Sequence, residues 1–119
     1  MIKMTMFLKR KAGMSHEDFV KHHVEVHGPK FRSIPEAEAH CLRYIQTHPV
    51  ALETDVAKNA DFDGTAELWF DSEQGMQVVL TSDTYKNVVF PDEKTFLDHD
   101  NTLILVGEQV EIIDDHREG

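Results

Sequence analysis

The feature that most constrains this chain is that its predicted strands carry apolar side chains on both faces, while only two amphipathic helices are available to cover them. Hydrophobic periodicity gives the order strand, helix, strand, strand, helix, strand, with strands over 2–9, 41–47, 65–70 and 102–113. This order predicts an α+β fold of the ferredoxin-like split βαβ type, a four-stranded antiparallel sheet with both helices on one face. The 119 residues suit one domain spanning 1–119.

The ends of the helices are predicted from capping and turn residues. Ser15 is a typical N-cap for the first helix, and Gly28-Pro29 is expected to end it. Asp71-Ser72 is expected to cap the second helix, and a further helical piece over 83–89 is expected to stop at Pro91. Residues 37–39 suggest a single helical turn. The stretch 49–64 is the longest connection, typical of a binding loop, a lid or a mobile segment, and 114–119 is a polar tail.

The sheet face opposite the helices has no predicted cover. Phe7, Trp69 and alternate residues of the last strand would contact water there. An exposed apolar face on the order of several hundred Å² is unusual for a monomer and marks an interaction surface. The sequence therefore predicts a homodimer in which two sheets pack face to face and enclose a barrel-like space.

Charge and cysteine content exclude several classes of function. The chain has 22 acidic residues against 12 Lys and Arg, a net charge of -10, which argues against nucleic-acid and anionic-membrane partners. No apolar run approaches the roughly 20 residues that span a bilayer. Cys41 is the one cysteine, so neither an internal disulfide nor a Cys-rich zinc site is expected. We expect a cytoplasmic location. The six isolated glycines offer no phosphate-binding loop, so no nucleotide cofactor is expected.

Several motifs, taken in order, resemble the EthD-like family of the dimeric α+β barrel superfamily. They are Lys-Arg-Lys-Ala-Gly-Met-Ser at 9–15, His27-Gly28-Pro29, Asp63-Gly64 before Glu-Leu-Trp-Phe at 67–70, and Asp92-Glu93, Phe96, Asp98 and Glu111. The resemblance implies a dimeric α+β barrel, which agrees with the fold derived from the strand faces. It also implies that no metal or cofactor is needed.

The resemblance implies a small organic substrate handled by proton transfer. Similar proteins act as cofactor-free dehydratases or cyclases on aromatic polyketides, and related small barrels isomerise lactones. We therefore expect an enzyme that binds an apolar or aromatic molecule in the barrel cavity and catalyses cofactor-independent dehydration, cyclisation or isomerisation. Two alternatives stay open. The first is an oxidoreductase-associated role, since EthD itself is associated with ether degradation beside an oxidoreductase system. The other is a non-catalytic, ligand-binding or stress-responsive dimer.

Two residues are candidate catalytic groups. A histidine side chain can take or give a proton near neutral pH, and His27 occupies the family's His-Gly-Pro position, so it is the candidate general acid or base. The alternative is that it ties down the Gly-Pro turn. Glu67 shares a strand face with Trp69, and a carboxylate in the dimer-enclosed space could assist His27. The alternative is an interface ion pair with Arg43 or Lys3.

Four further residues are candidate substrate-binding groups. Trp69 would supply an apolar wall with one N–H donor, and the phenol of Tyr44 could orient a carbonyl group. Asp92 matches the family's Asp-Glu pair, although acids in a loop often cap a helix instead. His23 stands, with His22, where many family members have an aromatic pair. The alternatives for Trp69 and Tyr44 are dimer packing and packing at the surface.

The histidines of the first helix are also candidate metal ligands. His23 and His27 are four residues apart, so both could reach one ion from one face of a helix. The zinc-protease pattern His-Glu-x-x-His is absent, and no motif places a third ligand. The sequence therefore predicts no metal site.

Overall fold

The computed structural model describes residues 1–114 and contains one four-stranded antiparallel sheet. Its strands are β1 (Ile2–Leu8), β2 (Cys41–Thr47), β3 (Gly64–Phe70) and β4 (Leu103–Glu108). They lie in the order β2-β3-β1-β4, and each neighbouring pair is antiparallel. This confirms the predicted ferredoxin-like arrangement. The polar tail predicted over 114–119 lies, apart from Asp114, outside the described residues.

The helices form two groups, one after β1 and one after β3. The first comprises α1 (His16–His22), a first π-turn (His23–His27), α2 (Gly28–Arg32) and α3 (Pro35–His40); the second comprises α4 (Glu73–Leu80), a second π-turn (Tyr85–Val89), α5 (Phe90–Phe96) and a 3₁₀ turn (His99–Asn101). Both predicted N-caps are present. The hydroxyl of Ser15 accepts the N–H of Asp18 at 3.1 Å, and that of Ser72 accepts the N–H of Gly75 at 2.9 Å.

The predicted stops at Gly28-Pro29 and Pro91 are wrong, because the chain continues as a helix through both prolines. Each proline follows a π-turn, in which the N–H of Gly28 bonds to the carbonyl of His23 and the N–H of Phe90 to that of Tyr85. In a regular α-helix the proline ring clashes with the carbonyl four residues earlier. A bond over five residues widens the turn just before the proline and relieves that crowding.

The hydrophobic core lies between the sheet and the helices. On β3, Ala66, Leu68 and Phe70 are buried against the helices, as the alternation predicts, while the side chains between them face the other way. From the helices, the fully buried side chains include Phe19, Val79, Val89 and Phe96. This layer fixes the face of each helix that meets the sheet, and therefore the position of the polar groups among the apolar ones.

The other face of the sheet has little cover in the part of the chain that the structure describes. Phe62, from the irregular connection between β2 and β3, contacts Phe7 with ring centroids 5.7 Å apart. β4 is shorter than predicted, and Leu103, Ile104 and Leu105 are each more than half exposed, so this edge strand is apolar and open on both faces. Within residues 1–114, no helix is both long and apolar enough to span a bilayer.

Candidate active site between the helices and the sheet

A buried carboxylate, Asp92 in the first turn of α5, joins the two helical groups. It accepts a hydrogen bond from Nδ1 of His27 at 2.8 Å and one from Nε2 of His22 at 2.9 Å. The ammonium group of Lys30 lies 3.6 Å from Oδ1. The side chain of Asp92 is 4% exposed and the hydroxyl of Thr95 lies 3.3 Å from Oδ1, so the carboxylate interacts with protein groups rather than with water.

Phe96 provides the surface on which the histidines of this region pack. Its ring centroid lies 4.6 Å from that of His22, 5.9 Å from that of His23 and 4.9 Å from that of His27. These histidines therefore make the ring contacts expected of an aromatic pair and also carry polar atoms. The π-turn places His27 on the same side as His22, within reach of one carboxylate.

The electrostatics of the His27–Asp92 pair suit proton transfer. Burial alone raises the pKa of Asp92, but the hydrogen bonds from His27 and His22 and the attraction to their rings hold that pKa below its ordinary value. The ionised carboxylate can only accept, so Nδ1 of His27 carries the proton. In the neutral ring, Nε2 is then the basic nitrogen. A histidine whose tautomer is fixed by a carboxylate is the usual arrangement of a general base.

A second buried carboxylate, Glu93, lies next to the first. It accepts a hydrogen bond from the hydroxyl of Tyr85 at 2.6 Å, and Nε2 of His99 lies 3.3 Å from it. Burial raises the pKa of Tyr85, and the adjacent charge of Glu93 and their hydrogen bond raise it further. Tyr85 therefore stays protonated and acts as a donor.

An internal cavity of about 30 Å³ separates these groups from the sheet, enough for one or two water molecules. Its walls are mostly apolar, and its polar groups come from His23, His27, Tyr44, Tyr85 and Glu93. Burial raises the pKa of Tyr44 to about 12, so its hydroxyl is protonated at neutral pH. That hydroxyl accepts a hydrogen bond from Nε2 of Gln46 at 2.9 Å, which leaves its own proton available to a ligand.

A larger cleft opens beside this cavity, between α2, α3 and the edge strand β2. It has a volume of about 790 Å³, and Gly28, Arg32, Glu38 and Arg43 are among its lining residues. Phe31 and Tyr44 line both spaces, with ring centroids 5.1 Å apart. The open cleft and the internal cavity therefore share these two rings as lining groups.

The structure brings four of the six sequence-predicted site residues to the helix side of the sheet. His23, His27 and Tyr44 line the cavity, and Asp92 holds His27. Asp92 and Glu93 lie in a helix rather than in the predicted loop. Acidic residues directly after a proline at the start of a helix are common, because the first turn favours negative charge, and this signal was present in the sequence.

The other two predicted residues, Glu67 and Trp69, lie on the opposite face of the sheet, so within one chain Glu67 does not reach His27. Their neighbour Leu68 faces the cavity, and successive side chains of a strand project to opposite faces. Glu67 forms an ion pair with Lys3 at 3.8 Å. The ring of Trp69 lies beneath Lys3 and Arg43, and its N–H donates to Gln109 at 2.6 Å.

Sequence reasoning missed His22, Tyr85 and His48 as members of this region. The first two bond to the buried acids, and Nε2 of His48 lies 3.0 Å from Nδ1 of His23. No local motif marks these long-range pairs. Within residues 1–114, no group of three or more His, Cys, Asp or Glu side chains has an arrangement suited to holding a metal ion.

Comparison with known protein families places this chain. The EthD domain matches residues 11–100 of this chain. This range is most of the chain and includes both His27 and Asp92. The chain belongs to the EthD family. This confirms the resemblance that the sequence motifs gave. Among curated proteins, none matches this chain.

Solved structures of the EthD family and its neighbours share the fold. An EthD family protein from Bacillus halodurans is 19% identical, with a TM-score of 0.71 over 92% of this chain and 99% of its own. An EthD-like protein from Ralstonia eutropha is 17% identical, with a TM-score of 0.68 over 97% and 96%. A dimeric ferredoxin-like protein from Thermobifida fusca is 11% identical, with a TM-score of 0.66 over 91% and 90%. At these identities the likeness shows the fold.

Proposed function

We propose that this EthD-family protein binds an apolar or aromatic organic molecule between its helices and its sheet and catalyses cofactor-independent acid/base chemistry on it. Dehydration, cyclisation and isomerisation are the reactions that such a site can perform. The observation that carries the proposal is the buried pair of His27 and Asp92, 2.8 Å apart, at the wall of an apolar cavity. A single base with a fixed tautomer serves each of these reactions.

His27 acts as the general base in this proposal, and Asp92 is a positioning residue. Nε2 of His27 removes a proton from a carbon or hydroxyl of the bound molecule, and the charge of Asp92 stabilises the imidazolium that forms. The O–H of Tyr44 donates to the oxygen on which negative charge develops. The proton then returns from His27 to the leaving oxygen or to a second carbon. Entry of a molecule larger than the cavity requires Phe31 and Tyr44 to move apart.

A reaction that needs only a base in an apolar site tests the role of His27. The base-catalysed opening of 5-nitrobenzisoxazole removes its C–H proton, breaks the N–O bond and releases a coloured nitrophenolate. We expect the protein to accelerate this opening and His27→Gln to lower the acceleration by about 10²-fold. Absorbance of the phenolate, with the buffer rate subtracted, measures the effect.

His40→Gln is the matched control for this experiment. His40 also contacts a carboxylate, Asp71, at 2.9 Å, but this pair lies at the surface, away from the cavity. We expect His40→Gln to retain the wild-type rate. A wild-type rate no faster than that of His27→Gln would contradict the role of His27 as base.

The small volume of the internal cavity favours a second candidate, a non-catalytic dimer. A space of about 30 Å³ admits one or two water molecules, so the side chains as they stand fill the interior. In this case the His27–Asp92 pair stabilises the junction of the two helical groups and catalyses no reaction. Absence of any acceleration in the benzisoxazole experiment would favour this candidate.

The partner that we propose for the uncovered sheet face is a second copy of this chain. The face combines half-buried aromatic and charged groups with the exposed apolar strand β4. Among the structural neighbours, the Thermobifida fusca protein is described as dimeric. Packing the two sheets together removes these apolar groups from water without any change in the fold.

Trp69→Asp is expected to dissociate this dimer, because it places a second carboxylate beside Glu67 and removes the ring from the interface. Sedimentation equilibrium should give twice the chain mass for the wild type and the monomer mass for the variant. Val78→Asp, which introduces the same charge on the exposed face of α4, is the control and should remain dimeric. A Trp69→Asp protein that stays dimeric would place the interface elsewhere.

A further inference from the structure

His23 is the most completely enclosed histidine in the described part of the chain, and one of its ring nitrogens has no partner there. The residue is 0% exposed and packs against Phe19 and Phe96. Nδ1 lies 3.0 Å from Nε2 of His48. Nε2 is buried, and within residues 1–114 it has no hydrogen-bond partner. An unpaired buried polar atom is costly, so its retention calls for an explanation.

The unpaired nitrogen belongs to a ring that lines the internal cavity. His23 shares the cavity wall with His27, Tyr44, Tyr85 and Glu93. Its backbone carbonyl accepts hydrogen bonds from Gly28 and from Nε2 of Gln46, the latter at 2.8 Å, so the turn that carries the ring is fixed. The side-chain contact with His48 fixes the ring itself. The unpaired nitrogen is therefore held in a fixed position in a buried ring.

The chemistry of a neutral imidazole defines the group that fits this atom. Burial, and then the neighbouring His48, His27 and His22, lower the pKa of His23 to about 3, so the ring is neutral. A neutral ring has one N–H and one lone pair, and the contact with His48 decides which of them lies at Nε2. A hydroxyl group both donates and accepts, so it complements Nε2 in either tautomer, whereas a carbonyl oxygen matches only one.

We infer that Nε2 of His23 binds a hydroxyl group of the ligand inside the helix–sheet cavity, and that His48 is the positioning residue that orients the ring. This inference rests on the proposed function, since it uses the same cavity, and it adds the ligand class: an otherwise apolar molecule that carries a hydroxyl. A ligand ring that enters from the open cleft passes Phe31 and Tyr44 and presents its hydroxyl to Nε2.

Phenol and fluorobenzene are the probes that test this inference, because they match in size and differ in the hydroxyl. We expect phenol to bind about tenfold more tightly than fluorobenzene, the difference that one net hydrogen bond makes. The ¹⁵N resonance of His23 Nε2 should move on addition of phenol and stay in place with fluorobenzene. This resonance is measured in the wild-type protein, so the test does not depend on a variant that folds.

Two variants assign the preference to one nitrogen. In His23→Phe the ring contacts with Phe19 and Phe96 are kept and the nitrogen is lost, so phenol and fluorobenzene should bind equally. In His40→Gln, which alters only the surface pair with Asp71, the phenol preference should persist. Equal binding of the two probes to the wild type, no binding of either, or a preference that survives in His23→Phe would overturn the inference. So would a trapped water that stays on Nε2 when phenol is bound.

Binding and turnover separate this inference from the proposed function. If the opening of 5-nitrobenzisoxazole depends on His27 but phenol shows no preference, the general base stands and the role of His23 is overturned. If phenol is preferred through His23 but no base-catalysed reaction occurs, the hydroxyl site stands and the proposed catalysis is overturned.

Discussion

Replacing Asp92 with asparagine is expected to lower the free energy of unfolding by about 3 kcal/mol, the lower end of the cost of breaking a buried ion pair from one side. The carboxylate accepts hydrogen bonds from His22 and His27 and lies beside the ammonium of Lys30. Asparagine keeps the size but presents an N–H₂ group to surrounding donors. At least one of these buried donors then loses its acceptor.

The pH dependence of Asp92 has a definite sign. Its pKa is held below the ordinary value in the folded protein, because the hydrogen bonds from His27 and His22 outweigh the effect of burial. This contribution to stability is therefore fully present above the unfolded-state pKa and is lost as the pH falls through the lower, folded-state value. We expect the stability difference between the wild type and Asp92→Asn to shrink in strongly acidic solution.

Urea denaturation of both proteins at neutral and acidic pH measures this difference. Asp71→Asn is the matched control, since Asp71 contacts His40 at 2.9 Å but lies at the surface. We expect this exposed pair to contribute far less, because water screens it. A loss of stability in Asp92→Asn no larger than that in Asp71→Asn would show that the buried junction does not hold the two helical groups together.

We expect the free energy of unfolding to fall by several kcal/mol as the pH drops from about 6.5 toward about 4, because of the buried ring of His23. Burial, followed by the neighbouring His48, His27 and His22, lowers the pKa of His23 from 6.5 to about 3 in the folded state. The unfolded chain therefore takes up the proton first. The contribution of the neutral, buried ring is fully present above the unfolded-state pKa and is lost as the pH falls toward the folded-state value.

His23→Phe isolates this effect, because phenylalanine keeps the contacts with Phe19 and Phe96 and does not titrate. Free energies of unfolding from urea titrations between about pH 4 and 7 should show a shallower slope for the variant, by about 1 kcal/mol per pH unit. Val24→Phe, at a half-exposed position of the same turn, should keep the wild-type slope. Parallel slopes for wild type and His23→Phe would mean that the ring is protonated without unfolding.

The prolines show where local sequence rules are overridden. Gly28-Pro29 and Pro91 predict helix ends, because a proline clashes with the preceding turn of a regular α-helix. The observed helices pass both points through π-turns. The backbone N–H of Gly28 and the side-chain amide Nε2 of Gln46 both donate to the carbonyl of His23, which stabilises the first wide turn. Because Gln46 lies on a strand, no local pattern in the sequence could have predicted this contact.

The sequence by itself determined the fold class, the strand faces and the family. Alternation along β3 placed Leu68 toward the helices and Glu67 and Trp69 on the opposite face, because strand geometry has a period of two residues and depends on nothing distant. The caps at Ser15 and Ser72 and the EthD-family motifs are likewise local features, read within a few residues.

Only the tertiary structure decided which polar groups meet. Asp92 lies 65 positions from His27 along the chain, and His48 lies 25 from His23. These contacts depend on the packing of one helical group against the other and against the start of the long connection. They also separate His27 from Glu67, which the sequence hypothesis combined in one site. Such pairs follow from the relative placement of whole elements, and that placement is set by burial of the common core rather than by the spacing of the polar residues.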